Sequence, residues 1–360
     1  MNRCVIHIGA HKTGSTSIQH SLSGFADEQF VYAKLDSENH SLAMYSLFSR
    51  RPEKHHMHVA NAADAKTVSA YVSGQRQELE RAISVARGRT LIISGEDISS
   101  LPEGGLRRLR DFFTQRVDEL KIVGYARSPG AFMASAFQQR VKSGMVTRFE
   151  IDRVYQSYRA RFEKFDTVFG RDNVMLWKFD TTLFPSGCAV QDFCRRLSIS
   201  LPRKRIVRLN ESLPREAVSM FYTYRVLGPK HGYDIMRAQE GQELGDLLGT
   251  ICKSRFRFSP DAVRPVLQKH GEDIQWAESR LEQSLAEPEG AHQPGDVRSE
   301  SDLLEPDPEA VTKLIALLGK HAPKGIRGKT PDEVAHLVHA LRMKCAADSA
   351  NRGWWRKSGT

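Results

Sequence analysis

The residues best equipped for chemistry fall in one early run, Gly9-Ala10-His11-Lys12-Thr13-Gly14-Ser15-Thr16-Ser17. A short apolar strand pattern precedes it and a helical pattern follows at once. Such a turn aims several backbone N–H groups and a helix N-terminus at one point, which suits a phosphate or a sulfate. The Gly9-to-Gly14 spacing is that of a loop cradling nucleotide triphosphates, but there a lysine follows the second glycine directly. Here Ser15 takes that place and the lysine lies inside the loop, as Lys12. Thr13, Gly14, Ser15, Thr16 and Ser17 are expected to offer N–H and hydroxyl donors to the anion, although Ser and Thr also cap ordinary helices.

A second candidate group lies downstream. Ile122-Val123-Gly124-Tyr125-Ala126-Arg127-Ser128-Pro129 reads as a strand ending at an arginine, whose planar fork can grip a phosphate with two parallel hydrogen bonds. Ser135 falls about two turns along the helix that follows. Gln138, Arg140 and Lys142 trail on the same helix, where an anionic acceptor could meet them. His55, His56 and His58 have metal-like spacing but no evident fourth ligand, so no metal is expected there.

These segments resemble the PAPS-dependent sulfotransferases, whose donor is 3′-phosphoadenosine-5′-phosphosulfate. The loop with lysine two residues before the glycine looks like the family's 5′-phosphosulfate loop, and Arg127 with Ser135 matches its 3′-phosphate motif. Arg208-Leu209-Asn210-Glu211-Ser212-Leu213 resembles an Asn-X-Ser-Leu segment of bacterial members. The resemblance runs in order from residue 3 to about 285. It implies a P-loop-like fold, PAPS as cosubstrate and no metal. Lys12 is then the cation at the oxygen bridging sulfur and 5′-phosphate, where negative charge grows in the transition state. The acceptor must lose a proton. The family places its base after the strand that precedes the Arg-X-Pro strand, and Glu96 matches that position. His11, beside Lys12, is the reserve base. Lys324-Gly325-Ile326-Arg327-Gly328-Lys329 only echoes the family's C-terminal 3′-phosphate stretch, lacks its tryptophan and is left out of the site.

Four apolar runs must hold these residues: Cys4–Gly9, Thr90–Ser94, Leu120–Tyr125 and Val174–Phe179, each short and rich in Val, Ile and Leu. Helical periodicity fills the gaps at 17–22, 69–86, 106–117 and 131–142, predicting an α/β fold with a doubly wound parallel sheet. Gly9, Gly95 and Arg127 all fall at strand ends, where such sheets bind ligands. The expected organisation is an α/β domain over 1–285, an exposed acidic connection over 286–307 and a helical extension over 308–360 ending in a basic, aromatic tail.

At 360 residues, with 40% hydrophobic and 27% charged content, the composition is that of a globular chain without a membrane span. Five irregularly spaced cysteines suggest no disulfide framework and a reducing cytoplasm. The net charge of +10 favours anionic ligands. Its basic residues are scattered rather than interleaved with aromatics, so no nucleic-acid partner is expected. The reading is therefore a cytoplasmic sulfotransferase acting on a hydroxyl or amine, plausibly of a carbohydrate. The alternatives are an ATP-dependent P-loop kinase and a non-catalytic anion-binding module.

Overall fold

The computed structural model describes residues 1–145, 148–209, 212–234, 236, 238–252, 254–287 and 293–357; for 238–239 and 349–357 it describes the backbone alone. The chain folds as two compact units. The first comprises Met1–Ser128, Ser157–Glu211 and His270–Ala286, and the second Pro129–Gln156, Ser212–Lys269 and Glu287–Thr360.

The first unit is built on a five-stranded sheet of order β2-β3-β1-β4-β5, with every pair parallel. The strands are β1 Arg3–His7, β2 Phe30–Tyr32, β3 Thr90–Ser94, β4 Glu119–Arg127 and β5 Val174–Phe179. β3 is buried throughout and β1 along most of its length. This is why both read as continuous apolar runs instead of alternating ones. Helices flank the sheet. Ile18 and Leu22 of helix α1 (Ser15–Leu22) join Val5, Ile92, Val123, Tyr125 and Phe193 in one core cluster.

The long helix Ala65–Val85 starts where Asp64 accepts from the Thr67 N–H at 2.7 Å, and it buries Val68, Leu79 and Ala82 at helical spacing. The four strands expected from composition are present, within two residues at their ends. β2 is an addition. At three residues it is too short to carry a period, and it exists because β3 offers it a paired edge.

The second unit is helical. Met133, Phe137 and Val141 of the helix Pro129–Ser143 share one cluster with Phe221, Tyr222, Leu314, Leu337 and Leu341. That shared burial draws 129–156 and 212–269 together with the C-terminal segment, rather than leaving 308–360 as a separate appendage. The stretch expected to be an exposed connection is packed where it is described. Val297 and Leu303 are fully buried, Val297 bridges Phe258 through two backbone hydrogen bonds, and Ser299 with Asp302 forms a capping box. Composition misses this because a few apolar side chains suffice to dock an otherwise acidic segment. Residues 288–292, part of the same expected connection, lie outside the described residues. The side chains of the basic, aromatic tail do too, although its backbone continues the helix Pro331–Lys357. Among the described residues no helix is long and apolar enough to cross a membrane.

Candidate active site

The glycine-rich loop leaves the carboxyl end of β1 and is pinned to β4 by main-chain bonds. The Ile8 N–H donates to the Val123 carbonyl at 2.9 Å, and the Ala10 N–H donates to that of Tyr125 at 3.1 Å. Gly14 precedes α1 with φ 77°, a left-handed conformation that glycine adopts without steric cost. A Cβ there would stand 2.8 Å from that of Ala189. Lys12 also has positive φ, 65°, in the middle of the loop. α1 has no side-chain cap and no acidic residue in its first turn, so its leading N–H groups are available to an anion.

The hydroxyls are used differently from expectation. Thr13 and Ser15, both buried, donate to the Ala10 carbonyl at 2.6 and 3.3 Å and so hold the loop itself in shape. Ser17 is buried as well and bonds both the N–H and the carbonyl of Leu209. A short loop leaves its own carbonyls within reach of these side chains, and they satisfy them first. Thr16 is half-buried. The main chain is left as the loop's principal donor.

Arg127 ends β4 beside this loop. Its Nη1 donates to the Lys12 carbonyl at 2.8 Å, and its guanidinium lies over the Phe179 ring at 5.5 Å. Its own carbonyl accepts from the Tyr158 hydroxyl. The sequence-predicted Lys12 and Arg127, 115 residues apart, thus meet through the Lys12 main chain at the carboxyl ends of the neighbouring strands β1 and β4. Ser135 is half-buried on the helix Pro129–Ser143, which belongs to the second unit. Gln138, Arg140 and Lys142 are on the same helix. Asn210 and Glu211 lie outside the described residues.

Glu96 follows β3 and is nearly buried, at 8% exposure. Its Oε2 accepts from Gln19 Nε2 at 3.3 Å, Asn39 Nδ2 at 3.3 Å and Ser41 Oγ at 3.4 Å. All three contacts fall on Oε2, which leaves Oε1 as the atom able to take a proton. A Cβ on Gly9 would stand 3.0 Å from Glu96 Cγ, so this carboxylate packs against the glycine-rich loop.

Asp97 gathers histidines. His55 Nε2 is 3.0 Å from Asp97 Oδ2, and His11 Nε2 is 3.6 Å from Oδ1. Burial alone would raise the Asp97 carboxyl, but the contacts with His11 and His55 outweigh it and hold the group well below the usual carboxylate range. His56 Nδ1 stands 3.8 Å from Oδ2, so His55, His56 and Asp97 form a set with metal-binding spacing. His58 faces elsewhere, 3.0 Å from Ser46 Oγ. The Met57 N–H approaches His55 Nδ1 at 3.3 Å, which assigns the ring proton to Nε2 and makes Asp97 its acceptor. The arrangement is therefore a carboxylate–imidazole pair.

No family model matches the chain. No solved structure matches it. The chain is similar to an uncharacterized protein of Archaeoglobus fulgidus, 28% identical over 174 residues. That match covers 46% of this chain and 47% of the other, so it spans about half the length of the relative.

Sequence reasoning missed the supporting shell. Gln19, Asn39 and Ser41 are ordinary polar residues until α1 and the segment after β2 bring them to Glu96 beyond β3. Beneath them His7 Nδ1 pairs with Ser94 Oγ at 2.8 Å, and His40 Nδ1 accepts from the Ser94 N–H at 3.1 Å. Asp97 could be found as a carboxylate beyond a strand end, but its histidine partners come from distant loops.

Proposed function

We propose that this chain is a PAPS-dependent sulfotransferase that moves a sulfuryl group to a hydroxyl, or to an amine, and releases adenosine 3′,5′-bisphosphate. The observation that carries the reading is the 2.8 Å bond from Arg127 to the Lys12 carbonyl, because it joins the two segments suited to the two anionic ends of one donor. The strand order supports a P-loop-like sheet. β1 connects toward β2 on one side and β4 toward β5 on the other, so their adjacent carboxyl ends flank a crevice of the kind that takes a nucleotide.

In this reading the N–H groups at the start of α1 receive the 5′-phosphate and sulfuryl oxygens, and Arg127 receives the 3′-phosphate. The acceptor oxygen attacks sulfur in line as the bond from sulfur to the bridging oxygen breaks. Lys12 neutralises the charge appearing on that bridge, an interaction stronger in the transition state than before it. The acceptor proton passes to Glu96 Oε1, with His11 as the alternative recipient. Five free thiols support a reducing, cytoplasmic setting.

Thermal unfolding tests the reading. Adenosine 3′,5′-bisphosphate without magnesium should raise the midpoint, while ATP with magnesium should do little. The reverse preference selects a kinase. Stabilisation without sulfation of any acceptor from labelled PAPS selects a binding module.

A further inference from the structure

Arg161 is 9% exposed, yet its buried Nη1 has no hydrogen-bond partner among the described residues. Nor does the guanidinium pair with any carboxylate there within 4.0 Å. Arginine is almost never buried this way, because each unmet N–H forfeits its bond to water and the charge itself is costly to desolvate. Arg161 lies on the helix Tyr158–Phe169, one turn beyond Tyr158, whose hydroxyl holds the Arg127 carbonyl at the end of β4. The same helix packs on Glu96–Ser100 at the end of β3. Glu96 and Asp97 act on Arg161 only through space. Glu96 engages Gln19, Asn39 and Ser41 through Oε2, and Asp97 engages His55 and His11. Lys164, one turn further, is spent on the carbonyls of Ser99 and Leu101. Burial pushes the guanidinium down to about 10, partly offset by the Asp97 and Glu96 charges, so it remains a cation at neutral pH.

We infer that Arg161 receives an oxyanion (carboxylate, sulfate or phosphate) on a ligand that enters at the carboxyl ends of β3 and β4. A planar fork with an unmet donor, in the field of the acceptor's expected base, matches such a group. The assignment of the ligand rests on the proposed sulfotransfer. If that holds, the oxyanion belongs to the acceptor, which is then a hydroxyl compound already bearing a negative group.

The test measures sulfate affinity by thermal shift at matched ionic strength, with and without saturating adenosine 3′,5′-bisphosphate, for the full chain and for Arg161→Met. Sulfate should stabilise the parent protein even when the bisphosphate occupies the loop. In Arg161→Met its dissociation constant should rise by about tenfold or more, and the unliganded midpoint should rise because an unpaired buried charge is gone. Equal sulfate affinity in parent and variant, or no sulfate effect on the parent, overturns the inference. Should Arg161→Met fail to fold, Arg161→Gln, which is shorter and uncharged but polar, is read the same way. A sulfate effect lost only when the bisphosphate is present moves the oxyanion to the donor. If the bisphosphate never binds but the Arg161-dependent sulfate effect persists, the sulfotransferase reading fails and the oxyanion site stands.

Discussion

Acid should loosen the protein through the two buried histidines beneath the site. Burial pushes His7 down to about 3 and His40 down to about 4, the latter despite a bond to the Ala33 carbonyl that favours its charged form. Both are neutral in the fold, while in the unfolded chain each takes up a proton below its ordinary value of 6.5. As pH falls from 7.5 to 5, only the unfolded state gains these protons, so the free energy of unfolding declines. The contribution is intact above about 6.5, and its loss is complete only near 4 for His40 and 3 for His7. For His40 the ratio of binding polynomials at pH 5 gives a loss of about 2 kcal/mol, and His7 adds roughly the same. Urea melts at intervals between pH 7.5 and 5 would measure it, comparing the parent with His40→Gln. The variant should lose about 2 kcal/mol of the pH-dependent change, whatever its absolute stability. Identical pH slopes in the two proteins would refute the argument that burial keeps His40 neutral.

The remaining predictions address the loop and the chemistry. Lys12→Ala should lower turnover on the order of 10²–10³-fold with weakened donor binding retained, measured with labelled PAPS. Lys12→Gly should be equally inactive yet gain up to about 1 kcal/mol in a urea melt, since glycine relieves the positive φ. Gly14→Ala should cost on the order of 1–2 kcal/mol from the left-handed backbone alone, with more from the methyl against Ala189, and should weaken bisphosphate binding. Arg127→Ala should raise the donor concentration required about tenfold or more, through loss of a charged hydrogen bond. Glu96→Gln should reduce kcat while donor affinity is unchanged. Normal turnover in that variant would transfer the proton to His11.

How much could be read without coordinates varied with the range of the interaction involved. The strand at 90–94 announces itself because burial on both faces demands an unbroken apolar run. The helices declare themselves through period and caps, as at Asp64. The loop was legible because a glycine at positive φ and a lysine two residues away are local matters. What failed was anything that depends on who lies opposite. Thr13 and Ser15 were expected to face a ligand but bind Ala10. Residues 293–307 look like a tether but bury Val297 and Leu303.

By itself, then, the order of residues determined the parallel sheet, the turn at its first strand and the types of side chain available there. Backbone geometry and burial periodicity act over a few residues, which is why they survive reading in one dimension. Tertiary structure alone decided that Arg127 reaches the Lys12 carbonyl, that Asp97 collects three histidines and that, among the described residues, Glu96 keeps one oxygen open and Arg161 buries an Nη1 without a hydrogen-bond partner. Each of these is settled by sheet order and by competition among polar groups drawn from far apart in the chain.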